Sequence, residues 1–471
     1  MKVKINHEFH YEVEHLIKTF VDKVEFVDTD EELKNTVTEN DDYVKVEATF
    51  NDIVFNEICS KNKREIKRAN SRVIYDLLSK VTGKENHYGT LVGVRPVKLV
   101  HEMLDLKMDE NTIATNLYKN HRISKKKIDL LLEIGKREAP FLSDIYDDSL
   151  VSLYICIPFC PTRCLYCSFP SNDMRKKGRL VDEYLKCLHR EIDSAHKNLM
   201  LYNKKVDCIY IGGGTPSILT AEQFEELLSK LNVYFSTSNL KEFTIEAGRP
   251  DTITSEKLDV FKKYDVSRIC INPQTMSEKT LRLIGRDHSV SSINSVYEMA
   301  RDYQFNSINM DLILGLPDED LEDVKRTIDM VLQLSPENIT IHTLAVKTSS
   351  RLKETLEKYN MTQSELVEAM LEYTEETVRE AGYVPYYMYR QKNMVGNFEN
   401  VGYCKPGYES RYNIRIIEEK HNILALGAGA VSKRCFPNED RFERIANIKG
   451  IEDYIGRIDD VINKGLQFFE I

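Results

Sequence analysis

Three cysteines in one short stretch carry the most specific chemistry in this 471-residue chain. Cys160, Cys164 and Cys167 stand in a C-x3-C-x2-C spacing, directly after the apolar run 152–158. At that spacing a single loop can turn three thiolates toward a common point. Soft thiolate ligands suit an iron–sulfur cluster. A four-iron cluster held by three cysteines leaves one iron without a protein ligand, open to a small molecule. A structural zinc site is the competing reading, and it needs a fourth Cys or His. Cys156 is close enough in sequence to be offered, whereas the next histidine, His189, is far along the chain.

Such a loop needs a rigid scaffold. From about residue 150 the sequence alternates strand-like and helix-like stretches. Apolar runs at 152–158, 208–211, 242–247, 268–272, 308–314 and 338–344 read as strands. Most are nearly continuous, as expected of strands covered on both faces. Helical periodicity falls between them, at 180–199, 221–231, 255–263, 278–283, 291–302 and 321–334. Six β/α units in series imply parallel strands with right-handed crossovers. The expected fold class is α/β, a partial (β/α)6 barrel spanning residues 146–350. In such barrels chemistry sits at the C-terminal ends of the strands, and the cysteine loop follows the first strand.

Residues 1–145 read as a separate lead domain, a small α/β part and then helices. The stretch 43–55 alternates well enough for one or two strands, and 63–78, 97–104, 111–117 and 125–138 are helical. The basic run Lys61, Lys63, Arg64, Lys67 and Arg68 reads as a solvated face. No catalytic constellation stands out here. Residues 351–471 form a C-terminal extension.

Composition excludes several classes. A hydrophobic fraction of 42% with 30% charged residues fits a globular protein. No apolar run approaches the length of a membrane span, and the start of the chain lacks a signal-peptide apolar region. A cytoplasmic location is the default. The net charge of −10 argues against a nucleic-acid partner. Of ten cysteines, three cluster at metal spacing and the rest are scattered, which fits a reducing compartment.

Further candidates follow the other strands. Gly212-Gly213-Gly214-Thr215-Pro216 comes directly after the second, and its glycines permit close backbone approach. Glu246 ends the third, and Gln274 follows the fourth. Arg286, in Ile-Gly-Arg, offers a guanidinium fork that matches a carboxylate. Asp311 lies inside an apolar run, so its carboxylate needs a partner such as a ribose hydroxyl.

As a set, these motifs resemble the oxygen-independent coproporphyrinogen III oxidases (dehydrogenases) of the radical S-adenosylmethionine (SAM) superfamily, most closely the HemZ-type branch. The resemblance runs from about Tyr154 to Arg434, through Tyr-x-x-Ile-Pro-Phe-Cys, Gly-Gly-Gly-Thr-Pro, Ile-Gly-Arg286, Asp311 with Gly-Leu-Pro, and Leu426-Gly-Ala-Gly-Ala430. Gly93-Val-Arg-Pro96 in the lead domain also looks like that branch. It implies that Cys160, Cys164 and Cys167 hold a 4Fe–4S cluster. It also implies that Tyr154, Tyr166, Gly213, Gly214, Thr215, Glu246, Gln274, Arg286, Asp311 and Ala345 line a SAM site. The stretch 385–434, with Tyr389-Arg-Gln391, Asn393 and Glu409-Ser-Arg-Tyr-Asn413, falls where the family faces its substrate.

Three positions depart from the family pattern. Cys156 stands where the oxidases carry a His near substrate. Phe169 replaces a fourth cysteine, as in relatives that act as haem chaperones. Tyr412-Asn-Ile-Arg-Ile416 has neither the His nor the Trp of those chaperones. The activity implied by resemblance is oxidative decarboxylation of two propionates of coproporphyrinogen III to vinyl groups, giving protoporphyrinogen IX. A haem-binding chaperone and an anaerobic haem-modifying enzyme are the alternatives. A tetrapyrrole substrate, an electron donor of unidentified type and a monomeric state are expected. Arg390, Lys392 and Arg411 are candidate hosts for propionates on charge alone.

Overall fold

The computed structural model describes all residues except 22, 94, 348, 349, 360, 392, 393, 440 and 471. Val94 of the Gly-Val-Arg-Pro motif, Lys392 and Asn393 therefore lie outside the described residues. The chain divides into two compact units. One is Met1–Arg137 with Tyr389–Lys392, and the other is Glu138–Met388 with Asn393–Ile471.

In the first unit, Lys2–Ile5, Glu25–Phe26, Leu33–Glu39, Val44–Phe50 and Ile53–Cys59 form a five-stranded sheet. The last two strands are the antiparallel pair anticipated around 43–55. The strand Leu33–Glu39 was not anticipated, because buried Asn35 breaks its apolar alternation. The Asn35 side chain donates to Asn70 Oδ1 at 2.7 Å instead. The helix Lys63–Thr82 starts at Asn62, whose side chain accepts from the Arg64 amide at 2.9 Å, and stops at left-handed Gly83. Its basic start is a solvated face, with Lys63 and Lys67 paired to Glu8 and Glu12. Helices Pro96–Asp105, Glu110–His121 and Lys125–Glu138 complete the unit.

The second unit is built on an eleven-stranded sheet. Its strands are β1 (Leu150–Ile157), β2 (Lys205–Gly213), β3 (Glu242–Ile245), β4 (Arg268–Cys270), β5 (Ser307–Leu314), β6 (Asn338–Thr343), β7 (Val384–Tyr389), β8 (Asn400–Cys404), β9 (Ile423–Leu426), β10 (Val431–Phe436) and β11 (Arg441–Ala446). Their order is β7-β8-β6-β5-β4-β3-β2-β1-β9-β10-β11. Strands β1 to β6 lie side by side in chain order, each parallel to the next. Helices Val181–Leu201, Ala221–Phe235, Ser255–Lys263, Glu278–Leu283, Val290–Asp302 and Leu321–Leu334 fall between them. Several of these helices start at caps legible in sequence, including Thr220, Thr254, Ser277, Ser289 and Asp320.

β1 and β6 pair with β9 and β8, parallel and antiparallel respectively, and not with each other. The six units thus form an open arc whose two edges are covered by residues 400–404 and 423–426. Covering both edges removes unpaired backbone groups that would invite association. The helix Arg411–Glu418 packs beside β2. Its Arg415, fully buried, bonds Asp207 at 2.7 and 2.8 Å and Asp144 at 2.7 Å.

Candidate active site

The cysteine loop leaves β1 at Ile157. Phe159–Cys160 pairs with Asn172–Asp173, which closes the loop on itself. Its middle is tied to the turn after Glu278–Leu283. The Leu165 amide donates to Ile284 O at 3.0 Å, and Thr162 Oγ1 donates to Gly285 O at 2.9 Å. Cys164 is buried and Cys160 and Cys167 are half-buried. Burial first, and the neighbouring thiols next, push Cys167 up to about 11; burial also raises Cys160. The three sulfurs do not all lie within 4.8 Å of one another. A single zinc ion with 2.3 Å bonds needs a tighter group.

The glycine triplet lies against this loop. The Gly214 amide donates to Ile157 O at 2.9 Å, and the Thr215 amide to Phe159 O at 2.7 Å. A Cβ on Gly214 would stand 2.9 Å from Cys160 Sγ. Gly213, at φ +118°, would place a Cβ 2.8 Å from Cys156 Sγ. A Cβ on Gly212 would meet Glu246 Oε2 at 3.0 Å. The triplet thus joins the cysteine loop to the acid that follows β3.

Burial raises the Glu246 carboxyl to about 7, opposed by its bond from Tyr210 Oη at 2.5 Å and reinforced by Asp311. Asp311 goes the other way. Burial would raise it, but His342, Asn309 and Thr340 together hold it below the ordinary range. Asn309 Nδ2 donates to Asp311 Oδ1 at 2.7 Å, and His342 Nε2 stands 3.7 Å from Oδ2. Two carboxyls of like type therefore differ in proton affinity, the pattern of groups with distinct roles.

Gln274 adopts a left-handed φ of +70°. Its amide donates to Asp311 O and its carbonyl accepts from Ile313, both at 2.9 Å, which secures the strained backbone against β5. Arg286 is buried. It donates to Asn272 O at 2.5 Å and to Tyr166 Oη at 3.4 Å, and its Nε has no partner. Burial would lower it, but Tyr166 and Cys164 outweigh that and raise it. A buried guanidinium whose partners are carbonyl and phenol oxygens is suited to an incoming carboxylate.

Tyr154 lies directly opposite Tyr210 in the β1–β2 register, with rings stacked at 6.0 Å. Tyr412 stacks on Tyr210 at 4.5 Å. Cys156 is buried beside Ala425 and Ala430. Burial, then Glu246 and Glu191, push its thiol up to about 12, so it is neutral at physiological pH. Ala345 bridges Met394 just past β6.

Two cations proposed from charge alone are engaged elsewhere. Arg390 donates to Leu91 O at 2.8 Å and stacks 4.0 Å over Tyr88. Arg411 pairs with Asp144 at 3.1 Å. Sequence reasoning missed Tyr210, Arg249, His342 and Lys347. For Tyr210 a signal existed, since it precedes the glycines as Tyr154 precedes the cysteines.

The Radical SAM superfamily model matches residues 154–331. The chain is 40% identical to the oxygen-independent coproporphyrinogen-III oxidase-like protein HemZ of Bacillus subtilis, over 86% of this chain and 82% of that one. It is 30% identical to the heme chaperone HemW of the same organism, over 59% of this chain and 70% of that one. The solved structure of Escherichia coli coproporphyrinogen III oxidase (HemN), a radical SAM enzyme, superposes with a TM-score of 0.55. The match has 22% identity and covers 69% of this chain and 73% of that one. That likeness speaks to the fold, and no described helix is long and apolar enough to cross a membrane.

Proposed function

The chain belongs to the oxygen-independent coproporphyrinogen-III oxidase-like proteins of the radical SAM superfamily, and from that membership we propose that it is an oxidoreductase of haem biosynthesis converting propionates of coproporphyrinogen III to vinyl groups. The observation that carries the reading is the cysteine loop folded against Gly214, with the buried guanidinium of Arg286 reaching Tyr166 of the same loop.

Cys160, Cys164 and Cys167 would hold the 4Fe–4S cluster. Arg286 would take the methionine carboxylate of SAM. Glu246, with the backbone of Gly213 and Gly214, would receive its amino group, and Asp311 the ribose. Thr215, Gln274, Tyr154, Tyr166 and Ala345 would complete the lining. Cluster and SAM together supply one-electron reduction of a sulfonium and, with it, hydrogen-atom abstraction. The chain's own part is to bind, orient and exclude water. The two tyrosines of β1 and β2 form an aromatic floor, and the neutral Cys156 thiol leaves that floor uncharged. Lys347, half-buried after β6 and within electrostatic reach of Cys167, would be a candidate host for a substrate propionate.

A second reading, haem binding without turnover, draws support from the heme chaperone relatives and from Phe169, 64% exposed beside the loop. The deciding experiment is an anaerobic assay of reconstituted protein with SAM and a reductant, given coproporphyrinogen III in one arm and haem in another. Formation of vinyl product with release of carbon dioxide supports the oxidase. Stoichiometric haem binding without product supports the chaperone. A mass change of haem itself, in place of coproporphyrinogen, would replace both with a haem-modifying activity.

A further inference from the structure

Between Cys160 and Cys164 the loop is held by a residue that no motif assigns. Arg249 follows Glu246 by three positions and is 3% exposed. Its Nε and one terminal nitrogen fork onto the Asp251 carboxylate at 3.0 and 2.9 Å. The other terminal nitrogen donates to Thr162 Oγ1 at 2.7 Å. The Thr162 hydroxyl in turn donates to Gly285 O at 2.9 Å, so it accepts from Arg249 and donates to the turn in a fixed sense. His288 Nδ1 stands 3.4 Å from Asp251 Oδ1, the oxygen that Arg249 Nε also reaches. The backbone beneath is pinned as well, because Thr252 returns two hydrogen bonds to Arg249 O.

We propose that Arg249 is a positioning residue for the ligand loop, an oriented ion pair with Asp251 that presents its positive end to the cluster through Thr162. The inference rests on the reading that Cys160, Cys164 and Cys167 hold that cluster. Two consequences follow from the geometry. The guanidinium lies between the carboxylate and the loop, so the loop meets the cation first. A buried cation favours the more negative, reduced state of a cluster. Independently, the Thr162 link fixes the centre of the loop against the turn at Gly285, which sets the spacing between Cys160 and Cys164.

The test uses full-length protein reconstituted anaerobically with iron and sulfide. Removing both charges together, in Arg249→Met with Asp251→Asn, avoids leaving the Asp251 carboxylate without its guanidinium. At equal iron content this variant should show an about tenfold smaller reduced-to-oxidised ratio at fixed poise in an EPR-monitored titration. For one electron that corresponds to about 59 mV. Thr162→Val keeps the ion pair and cuts the link. It should retain a near-native potential but lose iron several-fold faster to a chelator. Native potential and native iron-loss rates in both variants would overturn the proposal while leaving the cluster reading intact. Failure of the native protein to take up a cluster would overturn the cluster reading itself. If the double variant does not fold by circular dichroism, the chelation rate of Thr162→Val decides, and a native rate there rejects the proposal.

Discussion

The amide of Gly214 bonds to Ile157 O while its α-carbon faces Cys160, so near that an added Cβ would stand 2.9 Å from the sulfur. The glycine is therefore required by the fit of two loops rather than by backbone conformation alone. Gly214→Ala should force the cysteine loop away from the strand-two loop. Iron per reconstituted chain should fall at least severalfold, and circular dichroism should be unchanged. Full iron loading would show that the loop has room to spare.

In the proposed site, Glu246 would tie SAM binding to pH. Its carboxyl is raised to about 7, so the ionised form that would receive an ammonium grows as pH rises through that value. SAM affinity should rise about tenfold per pH unit below pH 7 and level off above it. Equilibrium dialysis from pH 5.5 to 8.5 measures this, and Glu246→Gln should flatten the profile. Stability has the opposite sign. The folded state holds this proton where the unfolded chain has lost it, so this contribution is full below about pH 4.5 and is lost as pH rises toward 7. Glu246→Gln should remove that slope from urea titrations.

Arg286 is the proposed carboxylate host. Arg286→Met should cost about 1.5–3 kcal/mol of SAM binding, roughly 10- to 150-fold in Kd. Arg286→Lys should recover little, because a point charge does not reproduce the fork. Isothermal titration with SAM and with methionine reads both. Equal losses for the two ligands locate the defect at the shared carboxylate.

Cys156 and Cys164 are both buried thiols with different expected roles. Cys164→Ala should abolish cluster absorbance. Cys156→Ala should keep it, since Cys156 Sγ packs against Gly213 and Ala425, away from a ligand's role. Loss of iron in Cys156→Ala would make it a ligand and close the open iron.

Arg415 carries the unit's stability rather than its chemistry. Fully buried between Asp207 and Asp144, it compensates two carboxylates. Arg415→Met should destabilise by about 3–5 kcal/mol, measured by urea unfolding, because buried Asp207 loses the guanidinium bonded to both its oxygens.

Much of the scaffold is legible without coordinates. Six apolar runs announce β1 to β6, and helices Ser255–Lys263, Glu278–Leu283 and Leu321–Leu334 begin and end where their periodicity does. Local signals suffice there, because a cap and an apolar stripe act within a few residues. The three cysteines are equally local, since their chemistry lies in spacing along one loop. Strand Leu33–Glu39 escapes such reading because its inward position is Asn35, satisfied by a side chain 35 residues away.

What only the tertiary structure decided are the relations between loops. Thr162 and Gly285 are 123 residues apart, and Arg249 meets Thr162 across 87. No periodicity encodes such pairs, because they depend on which strand ends the sheet brings together. The same holds for the charge states of Glu246 and Asp311. Residue type alone makes them alike, and burial beside Tyr210 or His342 separates them. Composition and spacing thus determine the chemistry this chain is able to host. Which cations, donors and glycines surround that chemistry is settled by folding, where burial removes the water that would otherwise make each position equivalent.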